Sequence, residues 1–325
     1  MRDWLVMLRR RNPDALVRGL FFLSIPILAV VYGVVAADKE LFPVPLIRQV
    51  PVTAASVLER TGVRMPWYYQ RTGRTARIGT HRADAMAPGL RLISGLADAE
   101  KTLARVVDGN GRVAHEWGIE WQKIWPDANH LPADAMPIGN SALVHGIAIA
   151  PNGDLIFNFD ERGMVRMDPC GKVLWKLPYR THHSIQLDEH GNIWAPGLIV
   201  RTEAQGRLPN HAPPFHDFTV VRVSPDGRIL DELFVADLLK ENGLTGLLHM
   251  ASTGDATIVS GDTLQLNDVD TFPSSLAPGA FGPGDVLLSL RNINTVLVFD
   301  SRTRTVKYTS VGRVLRQHDA DFVDG

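Results

Sequence analysis

One cysteine, Cys170, stands in the 325 residues, so no disulfide forms within the chain. It sits in "DPCGK", a turn, with no Cys-His pairing pattern around it, and reads as a turn filler rather than a catalytic thiol. Charge of one sign is missing too: 34 basic and 35 acidic side chains leave a net charge of -1, which gives no reason to expect nucleic acid as a partner. Apolar runs of membrane length are absent after residue 37. Long helical patterns are also scarce there. Each absence narrows the field to an ordinary folded domain made mostly of short elements.

The one long apolar run lies at the N-terminus. "GLFFLSIPILAVVYGVVAA" (19–37) carries no charged residue and is about long enough, at ~1.5 Å per residue, to cross a hydrocarbon core. Arg9, Arg10, Arg11 and Arg18 precede it and "DKE" follows. By the positive-inside rule the basic segment 1–18 is cytoplasmic and the rest of the chain lies outside. Val35-Ala36-Ala37 keeps a cleaved signal peptide open as the alternative. Residues 38–85 read as a stalk or lead-in, with one short helical candidate at 54–61.

From residue 86 the chain becomes short alternating strands broken by "DGNGR", "PNGD", "EHGN" and "PDGR", turns that supply the positive φ of tight hairpins. Stacked on these turns, a unit repeats. "HGIAIAPNGDLIFNF" opens at His145, "HSIQLDEHGNIWAPG" at His183, "NDVDTF…GDVLLSL" at Asn267 and "HDADFVDG" at His318. Two further strands complete each of the first three, and an earlier unit, from "LRLISGL", lacks the His. The pattern predicts an all-β domain over 86–325, a β-propeller of four-stranded antiparallel blades, with a β-sandwich as runner-up. Blade-opening strands line a propeller's channel, so His145, His183, Asn267 and His318 are expected to converge on its mouth, with His182 turned away or in the connecting loop. Two segments, 195–218 and 237–263, read as long loops; the second begins with a short helix.

These His-led strands, with "ARVVDGNGRVAHEW", "GDVLLSLRNINTVLVFD" and "RQHDADFVDG", resemble the arylsulfotransferase family of bacterial β-propellers, from about Val106 onward. The resemblance implies ping-pong transfer of a sulfuryl group from an aryl sulfate to a phenol by way of a histidine. It implies channel histidines at His145 and His183, a sulfuryl-binding Arg201, and Arg291 in "SLRN" as a further donor. The family's nucleophile lies two residues before the Asn of the "LND" strand. Here that place holds Gln265, which keeps hydrogen bonding but is no nucleophile. A slipped alignment would bring in His249 instead. The family ring has six blades, so this one reads as short, closed by fewer blades or completed by a protein partner or a second copy.

Three functions follow from these residues. One is a membrane-anchored arylsulfotransferase using His145, His183, Gln265, Asn267 and His318 with Arg201 and Arg291. Another is a non-catalytic propeller that binds an anionic or phenolic ligand or an envelope protein. The third, a metal-dependent hydrolase on Asn267, Asp268 and Asp270, is weaker, and neither a metal nor a cofactor is expected. His211 and His216, separated by Pro213-Pro214, read as a solvated loop rather than a metal pair.

Overall fold

Alternation of apolar and polar residues, punctuated by glycine turns, folds the described residues of 91–311 into sixteen strands. The computed structural model describes residues 13–39, 41–44, 47, 85, 87–98, 101–132, 135–137, 142–252 and 257–323. The basic residues Arg9–Arg11 and the helical candidate at 54–61 lie outside the described residues. The chain divides into two units, Met1–Pro66 and Trp67–Gly325.

In the first unit, α1 (Pro13–Lys39) holds the apolar run and contains Pro26. Its Phe21, Phe22, Leu28 and Val34 are all more than half exposed. Val17–Lys39 is 23 residues of apolar helix, the one span among the described residues long and apolar enough to cross a membrane. At ~1.5 Å per residue it is about 35 Å long, against a hydrocarbon core of about 30 Å. A helix of this kind serves as a signal anchor or as a signal sequence.

The second unit is a β-propeller of four antiparallel blades. Blade 1 is β1 (Arg91–Asp98), β2 (Lys101–Val107) and β3 (Val113–Ile119), the three strands that "LRLISGL", "KTLARVVD" and "GRVAHEW" mark; the short α2 (Trp121–Ile124) follows. Blade 2 is β4 (Val144–Ile149), β5 (Leu155–Phe159), β6 (Gly163–Met167) and β7 (Val173–Leu177). Blade 3 is β8 (Gln186–Leu187), β9 (Ile193–Arg201), β10 (His211–Val223) and β11 (Ile229–Phe234), and β12 (Val259–Gly261) adds a parallel fifth strand against β10. Blade 4 is β13 (Leu266–Thr271), β14 (Asp285–Leu290), β15 (Thr295–Asp300) and β16 (Val306–Val311). α3 (Val235–Glu241) links blade 3 to a 3-10 turn at Thr245–His249, in keeping with the helix expected there.

The turn at Asp188–Asn192 shows why the hairpins form where they do. The Asp188 Oδ1 accepts the N–H of His190 and of Asn192, and Gly191 takes φ +77 between them. An Asx turn with a left-handed glycine reverses the chain in five residues. The apolar face of each hairpin then packs between blades. Trp117, Trp121, Phe157 and Phe159 fill the contact of blades 1 and 2, Ile156, Ile185 and Val221 that of blades 2 and 3, and Leu198, Val269 and Leu288 that of blades 3 and 4.

The segment 195–218 is a hairpin rather than a loop. Strands β9 and β10 pair from Ile193↔Val223 out to Arg201↔Phe215, leaving only 202–210 as the connection. Pro213 and Pro214, which suggested a loop, sit just before that ladder begins, where their missing N–H groups break no β9–β10 bond.

Blade-to-blade bonds fix the repeat register. The Ser184 hydroxyl accepts the Val269 N–H at 3.0 Å, and Asp268 Oδ2 accepts the Ala320 N–H at 2.9 Å. At the matching place in blade 2 stands Gly146, where a Cβ would lie 3.0 Å from the Ile185 nitrogen and 2.0 Å from the His183 oxygen. Gly146, Ser184 and Asp268 are therefore equivalent, and so are His145, His183 and Asn267 before them. Residues 317–322 run along β13 as the opening strand of a further unit would. They form no ladder; Asp268 and Asp270 carboxylates take the N–H groups of Ala320 and Phe322 in place of carbonyls.

Candidate functional site

His145 is the second residue of β4, and a bulge turns it out of the ladder. Val144 pairs with Phe159 but Ile147 with Phe157, so His145 and Gly146 face a single residue, Asn158. Blade 4 repeats the irregularity at Asn267, between Leu266↔Leu290 and Asp268↔Ser289. His183 precedes β8 with φ +52, a left-handed conformation uncommon for a side-chain-bearing residue. Asn158, fully buried, joins the two histidine segments: its Oδ1 accepts the Gly146 N–H at 2.9 Å and its Nδ2 donates to the His183 carbonyl at 3.3 Å.

These devices bring the rings together. The centroids of His145 and His183 are 4.0 Å apart, and His318 stands 5.7 Å from His183. His182 lies in the segment joining β7 to β8, and it stays with the cluster: its Nδ1 lies 2.8 Å from the His183 Nδ1, one ring donating and the other accepting, while its ring meets that of Phe218 at an edge. His145 Nδ1 lies 2.9 Å from Asp160 Oδ1, at the end of β5. In the neutral tautomer that donates Nδ1–H to that carboxylate, Nε2 of His145 would hold a lone pair.

Burial sets the charges. It pushes His182 down to about 4, against the attraction of Asp160, with repulsion from His145 and His216 adding to the fall. His183 is lowered for the same first reason, helped by His145 and His182. Burial opposes ionisation of Asp160 as well, but the hydrogen bond and charge of His145, with His182 and His183, bring it below the usual carboxylate range. The cluster thus has neutral His182 and His183 beside an ionised Asp160 near pH 7. Desolvation is the first cause of that neutrality, and repulsion from neighbouring imidazoles adds to it.

The remaining sequence candidates stand apart from this cluster. Arg201 Nε donates to Asp217 Oδ2 at 3.0 Å, and Arg207 binds the same oxygen and Asp237. Both guanidinium groups lie over the Phe234 ring. Leu198, Ile199, Val200 and Thr202 line a cleft of about 990 Å³, and Arg201 is not among its lining residues. The expected meeting of Arg201 with the histidines is therefore corrected: a fully buried carboxylate holds it elsewhere. Gln265 Oε1 accepts from Arg291 at 2.5 Å, so these two expected site residues pair with each other. Asn267 Nδ2 donates to the Gln317 carbonyl at 2.8 Å and serves the 317–322 segment. Among the described residues no hydrogen bond or ring contact joins Gln265, Asn267, Arg201 or Arg291 to His145 or His183.

The same cleft is lined by Asp160, Tyr179, Arg180, Leu198 and His216, so the histidine cluster borders a space large enough for an aromatic ligand. Sequence reading missed Asp160, Asn158 and His182. The signal available was small: "LIFNFD" places one amide inside an otherwise apolar strand and one acid at its end.

A family model described as Arylsulfotransferase (ASST) matches residues 146–325, more than half of the chain, and the chain belongs to that family. The match starts later than the resemblance from Val106 and one residue past His145. No curated protein matches. Solved structures with a similar arrangement include a protein of unknown function from Bacteroides caccae, 11% identical, covering 70% of this chain and 63% of that one at a TM-score of 0.33. Hydrazine synthase of Kuenenia stuttgartiensis is 10% identical, covering 53% and 37% at 0.31. A streptogramin B lyase structure is 10% identical, covering 66% and 56% at 0.31. The chain spans less than two thirds of each.

Proposed function

We propose that the protein transfers a sulfuryl group from an aryl sulfate to a phenol, with His145 as the attacking imidazole. Support comes from the His145–Asp160 pair at 2.9 Å beside neutral His183, in a chain of the arylsulfotransferase family. The Nε2 lone pair attacks sulfur and the S–O(aryl) bond breaks, its electron pair leaving on the aryl oxide, which takes a proton from water. Asp160 balances the positive charge the ring then carries. The acceptor phenol attacks sulfur, the S–N bond breaks back to Nε2, and the phenol proton passes to water. His183 and His318 act as N–H donors to the sulfuryl oxygens. The cleft beside Asp160 takes the aromatic rings.

In this reading Gln265 is no obstacle, because it lies with Arg291 rather than with the reacting ring. Residues 19–37 anchor the chain in the inner membrane with the N-terminus cytoplasmic and the propeller in the periplasm. The experiment is release of nitrophenolate from nitrophenyl sulfate by the full chain in detergent, with and without a phenol acceptor. Acceptor-dependent release supports the assignment; a folded protein with no release above buffer overturns it. The second reading, a non-catalytic propeller, is favoured by the Gln265–Arg291 pair alone. It requires phenol or aryl sulfate binding without turnover.

A further inference from the structure

Beyond sulfuryl transfer, the same rings present a donor set for a metal ion. Nitrogen atoms of His145 and His183 and an oxygen of Asp160 lie within 4.8 Å of one another. Two ligand atoms on one tetrahedral zinc, each bonded at about 2.0–2.2 Å, stand about 3.3–3.5 Å apart. The 4.8 Å outer limit stands about 1.3–1.5 Å above that spacing, so movements of that size close the set.

The site has further support. His182 Nδ1 contacts His183 Nδ1 at 2.8 Å, which fixes the orientation of the His183 ring as outer partners of metal-binding histidines do. Asn158 holds both ligand-bearing segments from a fully buried position, so the rings are pre-positioned on rigid backbone. His318, 5.7 Å from His183, supplies a fourth donor within reach. Imidazoles outnumber carboxylates, which suits zinc, cobalt, nickel and copper and disfavours magnesium and calcium, which want oxygen ligands.

We propose that His145, Asp160 and His183 form a binding site for a zinc-class divalent cation, with His318 closing the coordination. The ion takes the His145 lone pair that sulfuryl transfer needs. Metal binding and transfer at this site therefore exclude each other, and zinc is an inhibitor of the reaction proposed above. The binding itself does not rest on that reaction.

The test is titration of the chelator-treated full chain in detergent with Co²⁺ and with Zn²⁺, without any aryl sulfate. A visible Co²⁺ spectrum of tetrahedral intensity, displaced by one equivalent of Zn²⁺ and untouched by excess Mg²⁺, is the expected result. His145→Ala, His183→Ala and Asp160→Asn should each weaken binding at least about tenfold. His190→Ala, at an exposed turn, should not. Thermal melting of each variant separates loss of the site from loss of the fold. The proposal is overturned by an octahedral spectrum, by no saturation below millimolar Co²⁺, or by folded His145→Ala and His183→Ala variants that bind as wild type does. A wild-type protein that binds Zn²⁺ yet transfers no sulfuryl group after chelation retains the metal site and loses only the transfer reading.

Discussion

The His145 and His183 rings stand 4.0 Å apart although each opens a different blade, and only His145 has a carboxylate, Asp160, on its Nδ1. In the proposed reaction that asymmetry makes His145 the attacking ring and His183 the assisting one. Asp160→Asn replaces an ionised acceptor with an amide that either donates or accepts, so the His145 tautomer is no longer set. Transfer should fall by about 10²–10⁴-fold in kcat, with KM changed far less. Steady-state kinetics with nitrophenyl sulfate checks this. A KM effect alone would show Asp160 to be a binding group.

Gly146→Ala tests how the rings are brought together. A Cβ there would meet the His183 carbonyl oxygen at 2.0 Å, backbone that has no rotamer to yield. The variant should lose at least about 1–3 kcal/mol in stability. If it still folds, blades 2 and 3 must move apart at this point and transfer should drop with them. Melting temperature and turnover read the two effects separately.

Stability should depend on pH through Asp268. Burial raises its carboxyl to about 7 from an ordinary 3.8, against the Ser184 and Ala320 hydrogen bonds and with help from Asp270 and Asp319. Asp270 is raised as well, again by burial first. A raised folded value means that the native state holds the proton more tightly than the unfolded one. The contribution is complete below about pH 4 and is lost as pH rises to about 7, on the order of 2–4 kcal/mol for Asp268. His182 and His183, held neutral by burial, contribute with the opposite sign over the same range, so the decline is read as the difference between wild type and Asp268→Asn in urea unfolding from pH 4 to pH 8. An unchanged slope in the variant would remove Asp268 as its source.

Arg201→Ala separates a structural arginine from a substrate-binding one. Asp217 is fully buried and keeps Arg207 when Arg201 is removed, so the loss should be about 1–3 kcal/mol rather than the full penalty of a stranded charge. The KM for aryl sulfate should stay within about twofold. A large rise in KM at unchanged stability would return Arg201 to the site.

Much of this was legible in the chain itself. The glycine turns and the period-2 strands point to antiparallel hairpins, and the spacing of His145, His183 and Asn267 matches the register that Gly146, Ser184 and Asp268 display. Equivalence of position did not make equivalence of surroundings. Asn267 sits in the same bulge as His145, yet its side chain serves Gln317, because residues 317–322 lie where blade 3 lies for His145. Arg201 was misplaced because its hairpin hid behind Pro213 and Pro214, and its partner Asp217 appears only when β9 and β10 are paired. Asp160 carries no mark in a sequence of 35 acids; its role comes from the bulge that turns His145 toward it.

The central claim, that His145 carries the sulfuryl group, is tested most directly by trapping the intermediate. The full chain is mixed with an aryl sulfate in the absence of acceptor, quenched within the first turnover, digested and mapped by mass spectrometry. The account predicts one sulfuryl group on the peptide containing His145, absent in Asp160→Asn at the same quench time and discharged by added phenol. A sulfuryl group on His183, His318 or any other residue, or none while aryl oxide is released, contradicts it.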